Sequence, residues 1–388
     1  MDKYIAKHEK EKVEEGKAKE VDTLFNDNEV VWDPDMGVFC EMNSTYMNLY
    51  SKDNFKQTLS SLSGIPTGFT GTMVASIPAV RVVYKPDQHG GELSKNGMRA
   101  VNRYKAVIFT AKNEGVPTSI DNLFNNVFES DMPAKDVFIN WLAYIVQYKK
   151  RTGIAWGFFG AQGTGKGLVC EVVKKLVGDT NASMQVGDDS LASNYNDYSM
   201  HKLFIQLDEI TSDMHGRKGV AGKLKRMVSN SVIRINQKFI KEIEVDNYCN
   251  FILNSNKPNP IELDPDDRRW NMVYTRTKLD LCSWWDEGSW EKILDDTDAF
   301  GSYLTACKVD IQGATSPLAT SAAKKSVINN TTPLGQLLAT HIDACNYDEL
   351  VEFCNYDEDD IENKTMIKWA CDNKIFTSAL ISSMYRGA

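Results

Sequence analysis

The stretch from Ile154 to Gly178 constrains this chain more than any other. Ile154-Ala155-Trp156-Gly157-Phe158-Phe159 is an apolar run of strand length. Gly160-Ala161-Gln162-Gly163-Thr164-Gly165-Lys166-Gly167 follows it, and Leu168 to Val177 then repeats apolar residues at helical spacing until Gly178 stops it. A strand, a glycine-rich loop and a helix in direct succession predict an α/β fold built on a parallel sheet. In G-x-x-x-x-G-K loops the glycines let consecutive backbone N–H groups converge on phosphate oxygens, and the helix N-terminus adds positive potential. Gly160, Gln162, Gly163, Thr164, Gly165, Lys166 and Gly167 are therefore the candidate phosphate-binding residues, with Lys166 reaching the terminal phosphates as a point charge. One position departs from the pattern. Ser or Thr ordinarily follows the lysine and offers Mg²⁺ a hydroxyl, whereas Gly167 has none.

The chain then reaches Lys202-Leu203-Phe204-Ile205-Gln206-Leu207-Asp208-Glu209, an apolar strand ending in two carboxylates. Behind a phosphate loop this is a Walker B arrangement. Asp208 would hold Mg²⁺ directly or through water, and Glu209 would polarise the attacking water as general base. A further strand, Cys249 to Leu253, ends at Asn254-Ser255-Asn256, where an amide can sit beside the γ-phosphate. Past a proline-rich turn, Arg268-Arg269-Trp270 offers an arginine finger toward a neighbouring subunit's nucleotide. Between the acidic pair and this strand lie eight basic residues, with no Asp or Glu over 217–241. Val232 to Gln237 and Glu242 to Tyr248 read as a β-hairpin. Arg234, Lys238 and Lys241 there can hold phosphates, and Phe239 can offer a face to a base or sugar.

The 388 residues leave room for two or three domains, and 42% hydrophobic with 25% charged residues excludes a disordered or fibrous chain. No apolar run has the length of a membrane span, and no apolar signal core opens the sequence, so the expected location is cytoplasmic, in the host cytoplasm if the protein is viral. A net charge of −9 argues against a globally basic nucleic-acid binder but not against a local basic track. Eight irregularly spaced cysteines and five scattered histidines predict reduced thiols and no zinc site. Composition divides the chain into a charged segment (1–20), a small α+β N-terminal domain (21–130), an α/β core with lid (131–312), a linker rich in Gly, Ser, Thr, Pro and Ala (313–335) and a small helical C-terminal domain (336–388). Within the core, Pro133 opens a helix that Gly153 stops. Trp284, Trp285 and Trp290 are expected to pack a lid or helical extension, and the acids of 357–360 to form a solvated turn.

These elements in this order resemble superfamily 3 helicases, the AAA+ motors of small DNA viruses and of many phage primases. Gly160–Lys166 resembles motif A, and Asp208 with Glu209 motif B. Ser255-Asn256 resembles the sensor motif, which favours Asn256 over Asn254. Arg269 resembles the arginine finger, with Arg268 as its rival, and Lys238 and Lys241 lie where the family has its DNA-tracking hairpin. Gly167 matches a G-x-G-K-G variant of phage primase-type members. Tyr84-Lys85-Pro86, Val101-Asn102-Arg103-Tyr104 and Asn140-Trp141-Leu142-Ala143 are also similar to those phage proteins, which makes the chain look like the helicase part of a phage primase-polymerase of the hydrothermal-vent phage type. The resemblance implies an AAA+ P-loop core and an ATP- and Mg²⁺-dependent DNA helicase. It further implies a homo-oligomeric, hexameric ring acting on single-stranded or forked DNA, with a primase-polymerase domain in the same or a partner chain. Two other readings stand beside it. One is a nucleotide-dependent replication assembly or loading factor without unwinding activity. The other is a metabolic P-loop kinase, which the long basic stretch disfavours.

Overall fold

The structure is a computed structural model. It describes residues 30–41 except 35, 49–63, 77, 79–88, 92–95, 98–208, 210, 220–257 except 239, 261, 263, 267–318, 322–331, 347–354, 360–373, 375–377, 380 and 384. The charged segment 1–20, Glu209, Phe239 and the acids at 357–359 lie outside these residues.

Near the N-terminus, β1 (Val30–Asp33), β2 (Val38–Glu41) and β3 (Leu49–Tyr50) form an antiparallel sheet, followed by α1 (Lys52–Ser63). The Asp33 side chain accepts from the Met36 and Val82 backbone N–H groups, so one buried carboxylate ties the β1–β2 turn to the next sheet. That second sheet comprises β4 (Arg81–Val83), β5 (Glu92–Lys95) and β6 (Met98–Asn102), in the order β4-β6-β5.

Two helices, α2 (Thr118–Val127) and α3 (Met132–Tyr148), lead into the core. Pro133 lies in the first turn of α3, but the helix stops at Tyr148, ahead of Gly153, with Lys149 in the left-handed conformation. Then come β7 (Ala155–Gly160), α4 (Lys166–Val177), β8 (Ala182–Val186), α5 (Asp188–Ala192), β9 (Phe204–Asp208) and α6 (Val220–Ser229). The hairpin β10 (Val232–Ile235) and β11 (Ile243–Asp246) precedes β12 (Asn250–Ser255) and β13 (Trp270–Thr275). The helices α7 (Ser289–Asp295), α8 (Thr297–Ala306), α9 (Ile311–Thr315), α10 (Ala322–Thr331), α11 (Tyr347–Phe353) and α12 (Ile361–Asn373) complete the described elements.

The core is a five-stranded sheet in the order β13-β7-β12-β9-β8, with every pair parallel. Both faces are buried, as parallel sheets require. One face presents Trp156, Phe158, Phe204, Ile252 and Val273 to a core shared with α2, α3, α4 and α8. The other presents Phe159, Ile205, Leu207, Leu253, Trp270 and Met272 to α6 and α10. Because the ladder is parallel, the C-terminal ends of all five strands lie along one edge, where ligands of open α/β sheets bind.

Three packing details differ from what composition suggests. Helix α2, grouped by sequence with the N-terminal domain, buries Ile120, Leu123, Phe124 and Val127 in the core of the parallel sheet. Residues 313–335, expected to be a linker, carry α10, whose Val327 and Ile328 pack under the sheet. Its Lys324 is buried against Asp267. The linker reading fails there because a small set of apolar contacts outweighs the turn-prone composition around it. The N-terminal strands also join the core: Val38, Cys40 and Leu49 pack with Ile233, Ile235 and Val245 of the hairpin. Beside that contact, Tyr84 stacks on His201 at 5.3 Å and donates its hydroxyl to Asn181. Near the C-terminus, α11 and α12 enclose a small core of Leu350, Cys354, Ile367 and Ala370. No helix among the described residues is long and apolar enough to cross a membrane, and the described cysteines are free thiols.

Candidate functional site

Strand β7 delivers the glycine-rich loop to the centre of the strand-end edge. Gly160 is in register with Thr275 and has φ +129°; a Cβ there would stand 2.1 Å from the Thr275 carbonyl oxygen. Only glycine fits so close to a backbone neighbour in that conformation. Gly165, at φ +96°, caps α4 and would drive a Cβ to 2.7 Å from Leu123. The loop is held from outside as well. The buried Asn126 amide donates to the Thr164 carbonyl at 3.1 Å and the Thr277 carbonyl at 3.0 Å. The Leu279 N–H donates to the Gly163 carbonyl at 2.9 Å, and the Thr164 and Thr275 hydroxyls meet at 2.9 Å.

Lys166 opens α4 and is 6% exposed. Its ammonium donates to the carbonyls of Ala161 and Gly160, so it lies folded over the loop that it closes. Burial lowers its pKa to about 8, and the charge of Asp208 partly opposes that fall. Asp208 ends β9 in register with Asn254 on β12, which places both on the α4 side of the sheet. Asn254 is buried, and its amide donates to the Cys170 sulfur at 3.3 Å. Its carbonyl oxygen has no hydrogen-bond partner among the described residues. Asn256 lies just past the strand and is exposed. Gln162, Gly163, Thr164, Gly165, Lys166 and Gly167 thus line one cavity of about 860 Å³ together with Asp208, Asn254 and Asn256. Gly160 forms the base of the loop. Glu209, the intended general base, follows Asp208 but lies outside the described residues.

Arg269 is not brought to this cavity. It precedes β13, at the N-terminal end of the sheet, and its guanidinium is held by Asp267 at 3.3 Å and by the Ser229 hydroxyl at 2.7 Å. Arg268 beside it is exposed. The hairpin is present and antiparallel, with Val232 paired to Asp246 and Ile235 to Ile243. Lys238 and Lys241 lie exposed near its tip. Arg234 lies on its side, where Glu244 at 2.9 Å and Glu242 at 3.7 Å partly neutralise it. Asn196 fixes the hairpin to the core by exchanging hydrogen bonds with Asn236 and donating to the Arg234 carbonyl.

Several site residues escape sequence reasoning. Asn126 sits far upstream of the loop that it clamps, and its one signal is an amide between Phe124 and Val127 in an otherwise apolar helix face. Gln206 also lines the cavity, its signal a polar residue inside a buried strand, and Asn254, the less favoured of the two strand-end asparagines, lines it with Asn256. Trp285 and Trp290, expected to pack a lid, both line it too.

Fold and site define an α/β protein with a parallel sheet whose strand ends gather a glycine-rich loop, a buried lysine and a carboxylate. Residues 158–269 match a family model described as a family of unknown function, DUF5906. The chain is homologous to the DNA primase-polymerase of Nitratiruptor phage NrS-1, with 34% identity over 259 residues. That match covers 66% of this chain and 36% of the phage protein, so it spans little more than a third of its relative's length. Apo structures of the NrS-1 C-terminal region are similar over nearly the whole chain. One has a TM-score of 0.73 at 27% identity, covering 94% of this chain and 89% of that one. Another has a TM-score of 0.70 at 26% identity, covering 94% and 85%. The resemblance to a phage primase-polymerase is therefore found, and the mixed α/β architecture with its five-stranded parallel sheet is similar to that of the NrS-1 C-terminal region.

Proposed function

We propose that this chain is an ATP-driven motor of phage DNA replication: a superfamily 3 helicase with an AAA+ P-loop core, assembled as a hexameric ring on single-stranded or forked DNA. The observation that carries this reading is one cavity shared by the glycine-rich loop, Lys166, Asp208 and the Asn254–Asn256 strand end. The name of the NrS-1 relative supports a place in DNA replication and a primase-polymerase domain in the same or a partner chain.

In this reading the loop N–H groups and Lys166 hold the β- and γ-phosphates of ATP. The donor chemistry fits Mg²⁺, which takes one or two carboxylates together with phosphate and water oxygens. Asp208 would hold it, and water would replace the hydroxyl that Gly167 lacks. The bound ion would supply charge neutralisation on the phosphate oxygens. Glu209 orients and deprotonates the attacking water, and Asn256 senses the γ-phosphate. Arg269 of a neighbouring copy stabilises charge on the transferred phosphoryl group. Lys238, Lys241, Phe239 and Arg234 form the track for DNA.

The test combines ATP hydrolysis, with and without single-stranded DNA, and unwinding of a forked duplex. Hydrolysis stimulated by the strand, unwinding, and loss of both in Lys166→Ala are expected. Hydrolysis without unwinding would convert the reading to a loading factor, and hydrolysis indifferent to DNA would remove the motor altogether.

A further inference from the structure

The walls of the 860 Å³ cavity divide by chemistry. One part is made of backbone donors, Lys166, Asp208 and the strand-end asparagines. The other carries Leu279, Trp285 and Trp290 with Lys278 and Asp280 on the same segment, and the two indoles are the aromatic side chains among its described lining residues. Trp285 is half-buried against the main core, with its ring edge-on to Trp284 at 5.7 Å. Trp290 begins α7 and is 42% exposed. Trp290 thus presents a large, partly exposed apolar ring to the same cavity as the polar groups of the loop.

The segment that carries these rings is also fixed to the loop. Leu279 N–H bonds the Gly163 carbonyl, and Cys282 Sγ contacts the Asn126 amide oxygen at 3.1 Å, while Asn126 in turn holds Thr164. The rings and the phosphate loop are therefore positioned by one set of contacts, and a ligand spanning both meets a prearranged site.

We infer that Trp290, supported by Trp285, is the platform for the base of the nucleotide whose phosphates the loop holds. The inference rests on the phosphate-site reading above and adds how the base is recognised. An indole face recognises a base by stacking, which is insensitive to the hydrogen-bonding pattern of the base edge. The site then accepts purine nucleotides of either kind in preference to pyrimidines, whose smaller rings cover less of the indole.

Calorimetric titration of the full chain with ADP and with inorganic tripolyphosphate separates the parts. Trp290 is exposed enough for its replacement to leave the core intact. Trp290→Ala should weaken ADP roughly tenfold and leave tripolyphosphate unchanged, and Trp290→Phe should recover most of the loss. ADP and GDP should bind within a few-fold of each other and more tightly than CDP. Unchanged ADP affinity in Trp290→Ala, equal weakening of both probes, or discrimination of a hundredfold between ADP and GDP would overturn the platform. If the wild-type chain binds neither probe, the phosphate site itself is wrong.

Discussion

The proposed chemistry turns on Lys166, which would have to be buried to close the loop and charged to hold phosphate. Burial brings its pKa down to about 8, so without ligand it is charged below that pH and increasingly neutral above it. A phosphate beside it favours the charged form. Binding above pH 8 must therefore take up a proton, and affinity must fall as pH rises through 8. Calorimetry of ADP binding at pH 8.5, in two buffers of different ionisation heat, should show uptake of a substantial fraction of one proton. Lys166→Arg should abolish the uptake, since a guanidinium stays charged throughout. Uptake that persists in the arginine variant would assign the proton to another group. The lysine itself was legible in sequence, because the loop motif is local and its glycines have a local reason. Asn126 was not, because its role depends on which helices the sheet order brings beside the loop.

At the scale of elements, the hairpin shows how far local pattern carries. The alternation of apolar residues over 232–248 announces two strands, and the structure has them, shortened to the parts that pair. What pattern omits is the partner across each rung. Arg234 faces Glu244, so a basic count along the chain overstates the charge that this arginine offers to DNA. Lys238 and Lys241 lie exposed near the tip. Removing both lysines should weaken single-stranded DNA binding and flatten its salt dependence by about 0.7 in log–log slope per lost phosphate contact. Arg234→Ala should change the slope by clearly less. Fluorescence anisotropy across a salt series measures both, and equal slopes for all variants would detach the hairpin from DNA. Helix α10 shows the opposite failure. The Gly, Ser, Thr, Pro and Ala around it read as a linker, while Val327 and Ile328 find a buried face that only the folded sheet supplies.

At the scale of the whole molecule, the two ends of the parallel sheet carry different parts of the proposed chemistry. The phosphate loop leaves the C-terminal end of β7, whereas Arg268 and Arg269 precede the N-terminal end of the adjacent, parallel β13. Trp270 pairs with Ala155 and Thr275 with Gly160, so the arginines and the loop are separated by about 17 Å at ~3.3 Å per residue. That exceeds the reach of an arginine side chain, and neither residue can serve its own chain's nucleotide. If one of them completes the site, a second copy must supply it. Arg269 is engaged by Asp267 and Ser229, and must leave them to act. Arg268 is exposed already. Mixing inactive variants distinguishes these cases. Lys166→Ala subunits keep their arginines and lack a working loop, while Arg269→Ala or Arg268→Ala subunits keep the loop. Where the replaced arginine is the finger, the single variant should be inactive and mixing it with Lys166→Ala should restore part of the hydrolysis, because each intact loop then meets an intact arginine. The variant of the other arginine should retain hydrolysis when assayed alone. Should neither mixture recover activity at any ratio while both arginine variants are inactive, the arginines act within their own subunit's architecture and a ring is not needed for hydrolysis.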